Sequence, residues 1–141
     1  MTDKINTEKA PPPVGAYPHA RKVGDLLFLS GIGPRSATSK EIPGVTLNDD
    51  GSIKAYDIAE QCHSVFANVK TVLEAAGASW DQLIDVTVFL TNIKDDFATY
   101  NKIYADYFGK VGPCRTTVEI TALPTPIAIE LKCIASLAKE N

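Results

Sequence analysis

The sequence is poor in the residues that build metal centres and disulfide frameworks. Its 141 residues include three cysteines and two histidines. Cys62, Cys114 and Cys133 show no C-x-x-C spacing, and neither His19 nor His63 has a partner at the spacing of metal ligands. We therefore expect no metal, and we expect the chain to work in a reducing compartment, the cytoplasm.

Long apolar runs and clusters of positive charge are also missing. No apolar segment approaches the length of a membrane span, and the first residues, MTDKINTEKAPPP, are polar and proline-rich, unlike a signal peptide. The formal net charge is -3, and the lysines and arginines are scattered instead of forming a stripe that follows phosphates. We expect neither a membrane nor a nucleic-acid partner.

The usual catalytic motifs are absent as well. The sequence contains no G-x-G-x-x-G, P-loop, G-x-S-x-G or H-E-x-x-H motif, so nucleotide-binding and hydrolase-triad chemistry lose their usual sequence support. The composition, with 45% hydrophobic and 22% charged residues, is that of an ordinary globular domain. We predict a single domain over residues 1–141, in which residues 1–13 form an extended N-terminal segment.

Two segments show the periodicity of amphipathic helices. Between Tyr56 and Ala76, apolar residues recur at steps of three and four, and Gly77 follows as a helix-ending residue. A second helix is predicted from Lys94 to Phe108 by the same pattern. Its apolar side is predicted to carry Phe97, Tyr100, Ile103, Tyr104 and Tyr107.

Extended segments flank these helices. Residues 16–23 and 26–31 surround the pair Gly24-Asp25 and predict a hairpin. Residues 36–52 are rich in turn formers and predict a long loop. Further strands are predicted near residues 84–90, 115–120 and 128–137. The first of these is predicted to have one face formed by Ile84, Val86, Val88 and Leu90.

This order of elements predicts an α/β fold in which one mixed sheet carries both helices on one face. In the last predicted strand, Ile129 and Leu131 point to one side and Glu130 and Lys132 to the other, so the second face is mixed polar and apolar. A semi-apolar face left uncovered on so small a domain favours burial against copies of the same chain. We therefore predict a homo-oligomer.

Arg115 and Glu130 are the candidate chemical residues that remain. Arg115 is predicted at the start of a strand and Glu130 on the neighbouring segment. An arginine together with a carboxylate and free backbone groups can bind an anionic small molecule and orient a water. The same two residues can form an ion pair at an interface, and the residues alone favour that simpler interpretation.

The chain also contains an ordered set of six motifs. They are residues 15–20 (GAYPHA), 27–31 (LFLSG), 68–77 (NVKTVLEAAG), 85–90 (DVTVFL), 113–119 (PCRTTVE) and 129–135 (IELKCIA). Over nearly the whole chain, this set resembles the reactive intermediate deaminase (Rid) family, also called the YjgF family. The resemblance implies a chorismate-mutase-like α/β fold, a homotrimer with clefts between subunits, and no cofactor.

The resemblance further implies roles for individual residues. Arg115 matches the arginine that pairs bidentately with the substrate carboxylate, and Glu130 matches the carboxylate that positions or activates the hydrolytic water. Tyr17 and Gly31 match residues that line the cleft, where a missing side chain lets the ligand approach the backbone. Thr117, which we also expect to bind substrate, stands where many members of the family have cysteine. No metal is implied.

Within the family, residues 17–21 (YPHAR) and 30–35 (SGIGPR) are most similar to 2-aminomuconate deaminases, which serve the degradation of aromatic compounds. Because 2-aminomuconate is a dicarboxylate, a second cation near the cleft would be useful, and Arg35 is the candidate. A solvated loop arginine is the alternative. His19 is either a proton carrier or a hydrogen-bonded structural residue, and we favour the second role.

The sequence therefore predicts a deaminase that hydrolyses 2-aminomuconate to its 2-oxo product and ammonia. One alternative is a general 2-iminobutanoate or 2-iminopropanoate deaminase, which needs a single carboxylate clamp. Another is a non-catalytic, ligand-binding or regulatory trimer. The family has also been linked to ribonuclease activity, against which the acidic charge balance argues. Whether trimers pair into hexamers stays open at this point.

Overall fold

A computed structural model describes residues 3–139, and its first hairpin follows the predicted plan. β2 (Ala20–Val23) and β3 (Leu26–Leu29) run antiparallel, which confirms the hairpin with shorter strands than predicted. Gly24 begins the turn with φ at 60°, in the left-handed region that a residue without a side chain adopts readily. At the outer edge, β1 (Lys4–Ile5) pairs antiparallel with β2.

Both predicted helices are confirmed, and each begins at a side-chain cap. α1 covers Ile58–Ala75 and starts slightly later than predicted, because the Asp57 carboxylate accepts a hydrogen bond from a backbone amide of the first turn. α2 covers Ile93–Phe108, and the Asn92 side chain caps it in the same way. Among residues 3–139, no helix combines the length and the apolarity that crossing a bilayer requires.

The long loop predicted over residues 36–52 is wrong in part, because it contains a strand. β4 (Val45–Leu47) pairs antiparallel with β5 (Ile53–Tyr56) in a separate two-stranded sheet. The backbone amide of Asn48 donates to the Ser52 carbonyl at 2.8 Å and closes the turn between them. Since β4 is three residues long, its side-chain alternation is too short to be recognised in the sequence.

The main sheet has six strands and carries both helices on one face, which confirms the predicted α/β architecture. Its remaining strands are β6 (Leu83–Leu90), β7 (Cys114–Glu119) and β8 (Ile129–Ser136). The strand order is β1-β2-β3-β8-β6-β7. The neighbours β6 and β7 run parallel, whereas β8 is antiparallel to both β3 and β6. β7 therefore forms one edge of the sheet.

One predicted core residue lies on the wrong face. Ile84 was expected beside Val86 in the core, but its side chain is 42% exposed. The pairing of β6 with β8 shifts between Leu83 and Asp85, so Leu83 and Val86 are buried and the strict alternation is interrupted at Ile84. A bulge of this kind depends on the partner strand, and for that reason the spacing in β6 alone does not reveal it.

The sheet face opposite the helices carries both polar and apolar side chains, as the alternation in β8 predicted. The register places Val118, Phe89 and Glu130 side by side across the three strands β7, β6 and β8. Lys132 lies on the same face and is half-buried, whereas the neighbouring residues Ile129 and Leu131 are fully buried beneath the helices. Apolar rings and charged groups thus share one open surface.

Candidate active site

Four of the predicted site residues come together at one end of β8. Tyr17, Gly31, Arg35 and Glu130 all line a cavity of about 150 Å³. The rest of its wall is formed by Val14, Gly33, Pro124, Thr125 and Ile127. A cavity of this volume accommodates a small molecule or part of one, so the structure supports grouping these residues as one site.

A bulge after β3 brings Gly31 to this cavity. The β3–β8 ladder ends at the pair Phe28–Ile134, and the next bridge joins Ile32 to Leu131. The β3 side therefore contains one more residue than the β8 side between these two pairs, which is the definition of a β-bulge. The Lys132 ammonium donates a hydrogen bond to the Leu29 carbonyl within the bulge.

Gly31 and Glu130 are packed against each other. A side-chain carbon built at Gly31 would lie 2.7 Å from Glu130 Oε2, closer than non-bonded atoms approach. The missing side chain of Gly31 is therefore what leaves room for the Glu130 carboxylate. The resemblance implied that this glycine admits the ligand to the backbone, and the structure shows a second reason for a glycine at this position.

The environment of Glu130 suits a general base. Burial raises the pKa of the Glu130 carboxyl above its ordinary value, and the nearby positive charge of Arg35 partly offsets this effect. Phe89 on β6 is its direct neighbour in the sheet, so one side of the carboxylate is apolar. A carboxylate with a raised pKa binds a proton more readily and accepts one more easily from a bound water.

Arg35 is held in place by its neighbours instead of extending into solvent. Its guanidinium Nη2 donates to the Pro12 carbonyl at 2.5 Å. The side-chain amide of Asn68, on α1, donates to the Gly33 carbonyl at 2.9 Å and to the Arg35 carbonyl at 2.8 Å. Sequence reasoning included Asn68 in a family motif but gave it no role, because its partners lie more than thirty positions earlier in the chain.

His19 has a structural position beneath the N-terminal segment. The backbone amide of Thr7 donates to His19 Nδ1 at 3.2 Å, so Nε2 carries the proton and donates to the Pro11 carbonyl at 2.8 Å. Both ring nitrogens are thereby used in holding residues 7–11 against the fold. This arrangement agrees with the structural role that the sequence favoured.

Arg115 and Thr117 lie on the other side of the sheet. The β6–β7 register pairs Arg115 with Val86 and Thr117 with Val88, two residues that are buried beneath the helices. Glu130 is on the opposite face, next to Phe89. Within one chain, the structure therefore does not bring Arg115 and Glu130 together, although the sequence placed them in one site.

Arg115 is supported by α2. Its Nη1 donates to Asn101 Oδ1 at 2.8 Å. The guanidinium carbon lies 4.7 Å from the ring centre of Tyr104, 5.4 Å from that of Tyr100 and 5.9 Å from that of Phe97. Arg115 nevertheless remains exposed, so its planar fork is both oriented and accessible to an anion.

The position of Phe97 corrects one detail of the predicted helix. Phe97 was assigned to the packed side of α2, but its side chain is 36% exposed. The preceding residue, Asp96, is buried and accepts a hydrogen bond from the Tyr56 hydroxyl at 2.6 Å. The sequence did not indicate that Asn101 would bind Arg115. The spacing of Phe97 and Asn101, four residues apart on α2, is a local signal that both face the same side.

The sequence comparisons identify the family. Residues 7–137 match the family model described as endoribonuclease L-PSP. A RutC family protein from Pyrococcus abyssi is 40% identical over 131 residues, which cover 93% of this chain and 94% of the relative. The chloroplastic protein Reactive Intermediate Deaminase A from Arabidopsis thaliana is 35% identical over 133 residues, or 94% of this chain and 65% of the relative.

A solved structure gives the same result for the fold. The crystal structure of E. coli TdcF with bound serine matches with a TM-score of 0.80 and 32% identity, covering 94% of this chain and 97% of that chain. The residues that match the family model include both Arg115 and Glu130. The chain belongs to the Rid/YjgF family, whose family model is described as endoribonuclease L-PSP.

Proposed function

We propose that this protein is a deaminase that hydrolyses the carbon–nitrogen bond of an imine or enamine bearing a carboxylate. The observation that carries the proposal is the half-buried Glu130 carboxylate, which is packed against Gly31 and lines a small cavity. The relative named Reactive Intermediate Deaminase A supports the same chemistry.

The site becomes complete when two subunits meet. We propose a homotrimer in which the exposed Arg115 at the β7 edge of one subunit faces the Glu130 cavity of the next. The open sheet face supports this assembly, since it exposes Val118 beside the half-buried Phe89. An edge strand that is exposed along most of its length also favours contact with another chain.

The residues suggest a mechanism that needs no covalent intermediate. The enamine tautomerises to the imine by gaining a proton on carbon and losing one from nitrogen, while Arg115 binds the adjacent carboxylate through both arms of its fork. A water held by Glu130 loses a proton to the Glu130 carboxylate and adds to the imine carbon, and Glu130 passes this proton to the imine nitrogen to give the carbinolamine. Glu130 then takes the proton of the carbinolamine hydroxyl and transfers it to the amino group, so ammonia leaves as the carbonyl of the 2-oxo acid forms.

Arg35 supports the finer proposal of a dicarboxylate substrate. Its guanidinium lies on the Glu130 side of the site, whereas Arg115 would approach from the neighbouring subunit. Two cations on opposite walls of a cleft match the two carboxylates of 2-aminomuconate, the compound that the sequence motifs favour. The hydrogen bond from Arg35 to Pro12 favours the alternative, a general deaminase of small imines, because it already occupies one arm.

Ammonia release decides between these possibilities. We would supply freshly generated 2-aminomuconate and, separately, 2-iminobutanoate to the wild type, Arg115→Ala, Arg115→Lys and Arg35→Ala. We expect Arg115→Ala to lose turnover of both compounds and Arg115→Lys to recover part of it, because lysine keeps the charge but not the fork. A selective loss of dicarboxylate turnover in Arg35→Ala supports 2-aminomuconate.

Other outcomes point to other functions. Turnover of 2-iminobutanoate alone places the protein among the general deaminases. Binding of a carboxylate without turnover of either compound indicates a regulatory trimer. RNA cleavage that persists in Glu130→Gln would favour the ribonuclease activity for which the family model is named, and it would overturn the role proposed for this cavity.

A further inference from the structure

Tyr100 lies beside Arg115, and its hydroxyl is not used by the mechanism above. Tyr100 is fully buried on α2, yet its hydroxyl oxygen is 3.2 Å from Thr117 Oγ1 on β7. The guanidinium carbon of Arg115 lies 5.4 Å from the centre of the Tyr100 ring. Burial raises the pKa of Tyr100, while Thr117 and Arg115 partly offset this effect, so the phenol is protonated at neutral pH.

Burial sets the direction of this hydrogen bond. The Tyr100 phenol carries a single proton and has no access to water, so this proton needs an acceptor inside the protein. Thr117 Oγ1 is the oxygen that the structure places within reach, and it accepts the proton. The Thr117 hydroxyl proton cannot return to Tyr100 and is free to bond an anion held at Arg115.

We propose that Tyr100 is a positioning residue that turns Thr117 into a second hydrogen-bond donor for the substrate carboxylate, beside Arg115. This inference rests on the proposed function and assigns Thr117 a task that depends on its hydroxyl. Arg115 and Thr117 are two residues apart on β7 and therefore share one face, where Arg115 is oriented by its bond to Asn101 Oδ1 at 2.8 Å and by the Tyr104 ring.

The test removes single hydroxyl groups without removing bulk. Tyr100→Phe keeps the buried ring, and Thr117→Val keeps the shape of threonine. Each is expected to raise KM for 2-iminobutanoate about tenfold while kcat changes less than about twofold, because the carboxylate is bound in both the ground state and the transition state. The double variant is expected to lose no more than either single variant, since both break one chain of hydrogen bonds.

Two further variants separate positioning from packing. Thr117→Ser retains the hydroxyl and is expected to keep KM close to the wild type. Tyr107→Phe is the matched control on the same helix, because the Tyr107 hydroxyl bonds His63 Nδ1 at 2.7 Å and takes no part in the Arg115 cluster. Thermal unfolding of every variant shows whether the fold is retained.

Direct binding of 2-oxobutanoate, measured by calorimetry, makes the result independent of turnover. Weaker binding by Tyr100→Phe and Thr117→Val, with Thr117→Ser unchanged, supports the proposal even where the wild type releases no ammonia and the deaminase function fails. Unchanged KM and unchanged binding in Tyr100→Phe overturn the positioning role while leaving the deaminase function intact. Additive losses in the double variant also overturn it, as does a wild type that binds no carboxylate.

Discussion

At the scale of single residues, the ionisation of Glu130 depends on its surroundings. The carboxylate lies half-buried beside Gly31, and its burial disfavours the ionised form. Arg35 acts in the opposite direction by stabilising the negative charge. Burial and the charge of Arg35 together therefore determine how much of Glu130 is ionised at a given pH.

This balance predicts the pH dependence of turnover. Because Glu130 must be ionised to accept a proton from water, kcat/KM is expected to fall as the pH decreases through its raised pKa. Arg35→Ala removes the stabilising charge, raises the pKa further and is expected to move this acid limb to higher pH. Arg35→Lys keeps a positive charge and is the control.

The measurement is a series of kcat/KM values for 2-iminobutanoate between acid and neutral pH. An acid limb at the same pH in the wild type and Arg35→Ala would show that Arg35 does not act on Glu130. A shifted limb in Glu130→Asp, which keeps a carboxylate on a shorter side chain, would assign the limb to this residue.

At the scale of elements, the β-bulge after β3 shapes the cavity. It displaces the chain at Gly31 from the regular ladder, and Lys132 donates to the Leu29 carbonyl inside it. Burial lowers the pKa of Lys132, so the ammonium is kept there at some cost. The hydrogen bond from Lys132 to the Leu29 carbonyl offsets that cost, because the carbonyl lies where the regular ladder is interrupted.

Lys132→Met is expected to reduce the free energy of unfolding by about 1–3 kcal/mol, because the buried Leu29 carbonyl loses its charged donor while the aliphatic stem is kept. Denaturant unfolding measures this loss. Lys102→Met, at an exposed position on α2, is the control and is expected to change stability by less than about 0.5 kcal/mol. Equal stability of both variants would mean that the bulge does not need Lys132.

The same elements show what the sequence could and could not predict. The helices were found because their periodicity and end signals are local properties, as Gly77 after α1 illustrates. The bulge at Ile84 and the side of the sheet that Arg115 occupies depend on the register with neighbouring strands. Alternation within β7 places Arg115 and Thr117 together but does not say which face the helices cover.

At the scale of the whole molecule, Arg115 and Glu130 lie on opposite faces of one sheet, so the proposed chemistry depends on assembly. Arg115 and Glu130 are each presented by a folded subunit, and the proposed cleft takes one from each of two subunits. A chain that lacks either residue thus still supplies the other half to its neighbour.

Subunit mixing tests this arrangement. Arg115→Ala and Glu130→Gln are each expected to be inactive, but trimers reassembled from an equal mixture are expected to recover about one quarter of the wild-type activity, because each hybrid trimer contains one intact cleft. Ammonia release after joint unfolding and refolding provides the measurement. A mixture that stays inactive, although mass analysis detects hybrids, would place both residues in the same subunit's cleft.

The location of Arg115 and Glu130 on opposite faces of one sheet also has a consequence for mass action. A rigid six-stranded sheet separates them, so no hinge motion inside a lone subunit replaces the neighbour. Under the proposed assembly, dilution below the dissociation constant of the trimer abolishes turnover while every subunit stays folded. Specific activity would then report the association equilibrium directly, and a non-reacting carboxylate bound in the cleft would lower the protein concentration at which the trimer dissociates.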